Sequence, residues 1–138
     1  MRQFYKEIII TTNGIDLYEF TEAAYNWINE IKANEGMLNI SILHTSASIL
    51  IQENADKDVL KDLKNFYIDL IPFNAKYNHK SEGEDDMPAH IKTSLTNTNI
   101  TLSVINKKII IGAWQGFFLF EHRYDKKKRK IFFHFLGE

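Results

Sequence analysis

The chain has 138 residues, 44% of them hydrophobic, and a formal net charge of -1, which gives room for one domain with a core and no global attraction for nucleic acid or anionic lipid. It contains no cysteine, so disulfides, thiolate nucleophiles and cysteine-ligated zinc are excluded, and histidine, carboxylate and amide groups remain as ligands. No signal-length apolar region opens the chain and no run approaches the ~20 apolar residues that cross a bilayer, so the expectation is a cytoplasmic protein with no membrane or nucleic-acid partner.

Residues 4–12, FYKEIIITT, are rich in β-branched side chains and stop at Asn13-Gly14, which reads as a strand closed by a turn. Asp16 to Glu19 has the spacing of a capping box, and Phe20, Ala24, Trp27, Ile28 and Ile31 recur at helical spacing up to Gly36. Residues 38–44 and 46–53 read as two antiparallel strands or one kinked strand, meeting at a bend over Thr45, Ser46 and Ala47. Asp56 suits the N-cap of a helix whose apolar face is Val59, Leu60, Leu63, Phe66, Tyr67 and Leu70, and Pro72 stops it.

Residues 73–87 form the one long polar connection and hold His79, Glu84, Asp85 and Asp86. Pro88 opens a short helix with Asp85 or Asp86 available as its N-cap, which places His90 near a helix N-terminus that favours an anion. Residues 100–105, 109–114, 116–123 and 129–136 read as strands, and the basic run 126–130 reads as a solvated hairpin. Without regular β-α-β alternation the expected fold class is α+β. It is a single domain over 1–138, with a mixed or antiparallel sheet, two longer helices and one short helix.

The segments HTSAS (44–48), ENADKDV (53–59), YNH (77–79), EGEDDMPAHIKTSL (82–95), IGAWQG (111–116) and EHR (121–123) resemble, in order and spacing over nearly the whole chain, the YjbQ family. The family is also called UPF0047 or the secondary thiamine-phosphate synthase family. The resemblance implies a compact α+β fold, a homotrimer and a weak synthase activity. That reaction joins a hydroxymethylpyrimidine diphosphate to a thiazole phosphate with loss of pyrophosphate, so a small phosphorylated molecule is the implied partner. Lys57 and Ala113 stand where the family pattern has Pro and Thr.

His44, His79 and His90 are the histidines inside these motifs, and together they offer imidazole ligands for a divalent metal such as zinc, manganese or nickel. Magnesium would better serve a leaving diphosphate but prefers carboxylates and water. The same residues suit a phosphate pocket instead: ligation needs neutral imidazole, an anion favours the cation, and an unperturbed value near ~6.5 permits either. Catalytic candidates are His44, Glu53 and Asp86; substrate contacts are Ser46, Asn54, Gln115, Arg123 and Arg129.

Each has a plainer reading. Asp85 or Asp86 caps a helix, Glu53 ends a strand, Trp114 is a buried aromatic, and His122 and His134 are ordinary strand residues. Ser46 beside His44 shows no strand-to-helix elbow that would mark a nucleophile. Three functions stay open: a synthase-like transferase, a metal-dependent hydrolase, and a non-catalytic metal- or phosphate-ester-binding trimer.

Overall fold

A computed structural model describes residues 1–138. The elements run β1 (Arg2–Asn13), β2 (Asp16–Glu19), α1 (Thr21–Glu30), β3 (Gly36–Ile42), β4 (Ala47–Glu53), α2 (Lys57–Leu70), α3 (Asp86–Leu95), β5 (Asn99–Ile105), β6 (Lys108–Ile109), β7 (Gln115–Glu121) and β8 (Lys126–Gly137). A five-stranded sheet has the order β1-β8-β3-β5-β6 and a three-stranded sheet the order β2-β7-β4. Every pairing is antiparallel, the longest running from Arg2↔Gly137 to Asn13↔Lys126.

The inward residues of both sheets meet in one core: Leu38, Ile40, Ile131, Phe133 and Phe135 from the large sheet, Ala47, Ile49, Phe117 and Leu119 from the small one. Helix α1 adds Ala24, Trp27 and Ile28, with the Trp27 ring packed tilted against Phe133 at 5.5 Å between centroids. Strand β7 is apolar on both faces because both are covered: Phe118 and Phe120 turn away from the main core to pack with Leu17, Leu60 and Tyr67 of β2 and α2. The Asp56 carboxylate caps α2 by accepting from Asp58 N at 2.9 Å. No helix is long and apolar enough to cross a membrane.

Four local expectations are corrected. Asp16–Glu19 is strand β2 rather than a capping box; Leu17 needs the apolar cover that the edge of β7 provides, and α1 begins at Thr21 without a side-chain cap. Strands β3 and β4 do not pair with each other but enter opposite sheets, so residues 43–46 cross from one layer to the other. The strand expected over 109–114 ends at Ile109; Gly112 then turns against Gln115, whose Oε1 accepts its N–H at 2.6 Å. Helix α3 reaches back to Asp86 and equals α1 in length, 10 residues each.

Gly36 and Gly137 sit opposite each other in the β3–β8 pairing. A Cβ on Gly36 would run into Leu136 O and the Gly137 Cα. Gly36→Val is therefore expected to lower stability by about 1–3 kcal/mol in urea unfolding, whereas the same change at the exposed Glu35 should be near neutral.

Candidate functional site

The loop between α2 and α3 and the first two turns of α3 bring His79, Asp86 and His90 together, with one ligating atom from each lying within 4.8 Å of the others. His79 Nε2 is 2.6 Å and His90 Nε2 3.1 Å from the same carboxylate oxygen, Asp86 Oδ2. Asp86 and His90 share one face of α3 at the i, i+4 spacing. The far atom of each is pinned: His90 Nδ1–H donates to Thr45 O at 2.9 Å, and Asp86 Oδ1 accepts from Arg123 Nη1 at 2.6 Å. A carbonyl on Nδ1 fixes the tautomer that presents the Nε2 lone pair, the arrangement found behind metal-ligating histidines. Burial works to raise the Asp86 carboxyl, but the His79 hydrogen bond and the charges of Arg123 and His90 outweigh it and hold the group below the usual range.

Facing this cluster is a cationic wall. His44, Thr45, Ser46, Glu82, Asp86, His90, Arg123, Lys127 and Arg129 line an open cleft of about 380 Å³ with no apolar member. A larger cleft of about 710 Å³ lies along Ile8, Ile10, Phe20 and Tyr25 and contains no histidine, lysine or arginine. Arg129, only 3% exposed, grips Glu121 through Nε (2.7 Å) and Nη2 (2.6 Å), and Nη2 also donates to Ser46 Oγ at 2.9 Å. Its remaining nitrogen, Nη1, has no protein partner, so the guanidinium is locked from behind and open toward the cleft.

His44 belongs to this wall rather than to the ligand set. Ser46 N–H donates to His44 Nδ1 at 3.0 Å, which places the proton of the neutral ring on Nε2, a donor and not a lone pair. Burial and the nearby Arg129 charge push its pKa down, in the direction of that neutral form. Where the expectation grouped His44, His79 and His90, the structure brings His79, Asp86 and His90 together as the groups that could hold a metal, with His44 on the cleft wall as a hydrogen-bond donor.

Arg123 also takes a different task from the expected anion contact. Its Nε, Nη1 and Nη2 donate to Asp85 Oδ2 (2.9 Å), Asp86 Oδ1 (2.6 Å) and Glu82 O (2.7 Å). Asp85 and Asp86 thus bind a guanidinium instead of capping α3, which has no side-chain cap. Glu53, Asn54 and Gln115 are not at the cleft. They sit at the other end of the β4–β7 pairing, where Glu53 is opposite Gln115 while Ala47 is opposite Glu121, ~20 Å along the strand. There Asn54 Nδ2 donates to Glu19 Oε2 at 3.3 Å. Trp114, read as buried, is 67% exposed.

Several buried polar groups escape a linear reading. Glu121 is fully buried, accepting from Thr12 Oγ1 at 2.6 Å as well as from Arg129. The alternation Arg129, Ile131, Phe133, Phe135 was the available signal that Arg129 points inward rather than into a solvated hairpin. His122 and Lys92 are also fully buried. Ser48 Oγ and His122 Nε2 lie 2.9 Å apart, and the His122 ring packs tilted against Phe120 at 4.3 Å between centroids. Burial, then the charges of Lys92 and Arg129, push the His122 pKa down to about 3.

Two stability tests follow from these buried groups. The unfolded chain protonates His122 near pH 6.5 and the folded chain only near 3, so its contribution is complete above 6.5 and is lost as pH falls toward 3. His122→Phe should flatten that part of the acid limb in urea unfolding measured against pH; an unchanged slope would refute the assignment. Arg129→Met strands the Glu121 carboxylate and should cost about 3–5 kcal/mol, much of it recovered in the Arg129→Met/Glu121→Leu double variant.

Comparison with known proteins agrees with the motif reading. A family profile described as UPF0047 protein YjbQ-like matches residues 6–138. A UPF0047 protein of Synechocystis is 40% identical over 99% of this chain and 94% of its own length, and the YjbQ protein of Escherichia coli O157:H7 is 35% identical over 98% and 99%. A crystal structure of a YjbQ/UPF0047 family protein from Clostridium acetobutylicum superposes with a TM-score of 0.88 at 30% identity, covering 95% of this chain and 99% of that one. One from Sulfolobus solfataricus shares the fold at a TM-score of 0.92 and 19% identity, covering 99% of each chain. The chain is a member of the YjbQ-like UPF0047 family.

Proposed function

We propose that the cleft holds a divalent transition metal on His79 Nε2, His90 Nε2 and Asp86 Oδ2, and that it acts there on a small phosphorylated molecule. The observation that carries this is the convergence of two imidazole nitrogens on one carboxylate oxygen whose partner oxygen is already neutralised by Arg123. Neutral imidazole nitrogen and ionised carboxylate oxygen are the donor atoms such a cation needs, and its binding would displace protons from these contacts. Two imidazoles and one carboxylate suit zinc, manganese or nickel better than magnesium. Such an ion, when bound, supplies Lewis-acid polarisation of a phosphoryl oxygen or an activated water.

The chain's own part is to bind and orient the ligand. His44 Nε2–H, Lys127 and Arg129 present donors from the opposite wall to the oxygens of a phosphate. A synthase-like transfer is a second reading of the same geometry. The attacking thiazole nitrogen has no proton to lose, so the demand falls on stabilising the departing diphosphate, and the cationic wall supports that role. A homotrimer is the assembly proposed, with the exposed apolar side chains Tyr5, Ile9, Met37 and Trp114 as the surface available for it.

Titration of metal-free protein with zinc chloride should reach one ion per chain, with affinity reduced roughly 100-fold in His90→Ala and Asp86→Asn and unchanged in Lys127→Met. Equal zinc affinity in all of these would remove the metal site. For the transferase reading, pyrophosphate release from the two thiamine precursors should fall in His44→Ala; release that persists at the wild-type rate would place that reaction elsewhere.

A further inference from the structure

Most carboxylates around the cleft are already committed. Asp86 Oδ1 is held by Arg123 and its Oδ2 by both imidazoles; Asp85 Oδ2 accepts from Arg123 Nε and Tyr124 N; Glu121 is saturated by Arg129 and Thr12. Glu82 differs. It lines the cleft, its side chain is 65% exposed to water, and its Oε2 stands 3.3 Å from His79 Nε2 with no guanidinium on it. Its backbone is nonetheless fixed, because Arg123 Nη2 donates to Glu82 O at 2.7 Å. The guanidinium that orients Asp86 therefore also sets where the Glu82 carboxylate can reach. The result is a water-exposed carboxylate beside a candidate metal cluster and opposite the cationic wall of the cleft.

His44 is poorly suited to remove a proton in this cleft. Its basic nitrogen, Nδ1, is turned toward Ser46 and engaged by the Ser46 N–H and hydroxyl, both at 3.0 Å, and its other nitrogen is a donor. Asp86 would have to leave Arg123 and two imidazoles to do so. By geometry the role falls to Glu82, the solvent-exposed carboxylate of the cleft.

We infer that Glu82 is the general base of a phosphate-monoester hydrolysis, an assignment that rests on the reading of the cleft as a metal and phosphate site and narrows it to one reaction class. Glu82 accepts a proton from a water held beside the cluster. The water oxygen forms the new bond to phosphorus, and the ester P–O bond breaks with its electron pair on the leaving oxygen. An aryl leaving group departs as the phenolate, an alkyl one takes a proton from solvent, and Glu82 returns its proton to solvent. The phosphoryl oxygens are held meanwhile by His44 Nε2–H, Lys127 and the free Nη1 of Arg129.

The test uses the full-length zinc-loaded protein with p-nitrophenyl phosphate as substrate. Glu82→Gln, which keeps size and hydrogen-bonding capacity, should lower turnover at least ~100-fold while zinc affinity and inorganic-phosphate affinity, both by titration calorimetry, change less than about threefold. Glu84→Gln, on the same loop but outside the cleft, should retain wild-type turnover. A Glu82→Gln variant with wild-type turnover overturns the inference. So does one that loses zinc affinity as Asp86→Asn does, because Glu82 would then be a ligand. Zinc-loaded wild type that does not hydrolyse the ester above the zinc-free rate also overturns it, and intact zinc binding in that case shows that the underlying metal reading stands. If wild type binds no zinc, it is the metal reading that fails.

Discussion

The structure depends on the buried ion pair between Glu121 and Arg129. Glu121 ends β7 in the small sheet, Arg129 lies in β8 of the large sheet, and both are almost without solvent contact. Thr12 of β1 donates to the same carboxylate, and Ser46 in the crossing between β3 and β4 accepts from the same guanidinium. One pair therefore bolts the two layers together at the point where the chain passes from one to the other. A buried pair of this kind is close to neutral in net stability against well-packed apolar groups, while breaking it is costly. Its contribution is location, since it fixes Ser46 and, through Ser46, the ring of His44.

Two arginines, each with different partners, divide the electrostatics of the cleft. Arg123 is turned to the α3 side and immobilises Asp85, Asp86 and the carbonyl of Glu82. Arg129 is turned to the sheet junction and keeps one nitrogen free on the cleft side. The histidines are sorted in the same way. A carbonyl on Nδ1 of His90 presents a lone pair at Nε2, whereas an N–H on Nδ1 of His44 presents a proton there. Backbone groups two residues or less apart, Thr45 O and Ser46 N, thus assign opposite chemistry to two rings facing one space. A single short crossing thus gives the cleft one side of lone pairs and carboxylate and one side of N–H donors.

The strands at both chain ends, the helical faces of α1 and α2, the polar loop and the α+β class were legible because each is written in local periodicity. Residues 16–19 misled because a capping box and a short edge strand share the same polar ends, and only the cover that β7 gives Leu17 decides between them. The segment after Ile109 misled because apolar content alone does not reveal the Gly112 turn. His79, Asp86 and His90 are all legible as candidates from their motifs, but that Asp86, rather than His44, lies beside the other two histidines is not. Motif membership also drew in Glu53, Asn54 and Gln115, which belong to the far end of the same strand pair.

By itself the sequence determined which residue types are present for chemistry, where the chain alternates and where it turns, since these follow from side-chain volume, branching and polarity at fixed spacing. Tertiary structure alone decided which of those residues meet. Whether a histidine offers a lone pair or a proton depends on the group bonded to its other nitrogen, and whether an arginine binds a ligand depends on which carboxylates already hold it. Some of those neighbours are near in sequence, as Ser46 is for His44 and Glu121 for Arg129, but others come from elements tens of residues away, as Thr45 does for His90 and Asp86 for Arg123. No local pattern encodes contacts that exist only once two sheets have closed on a shared core.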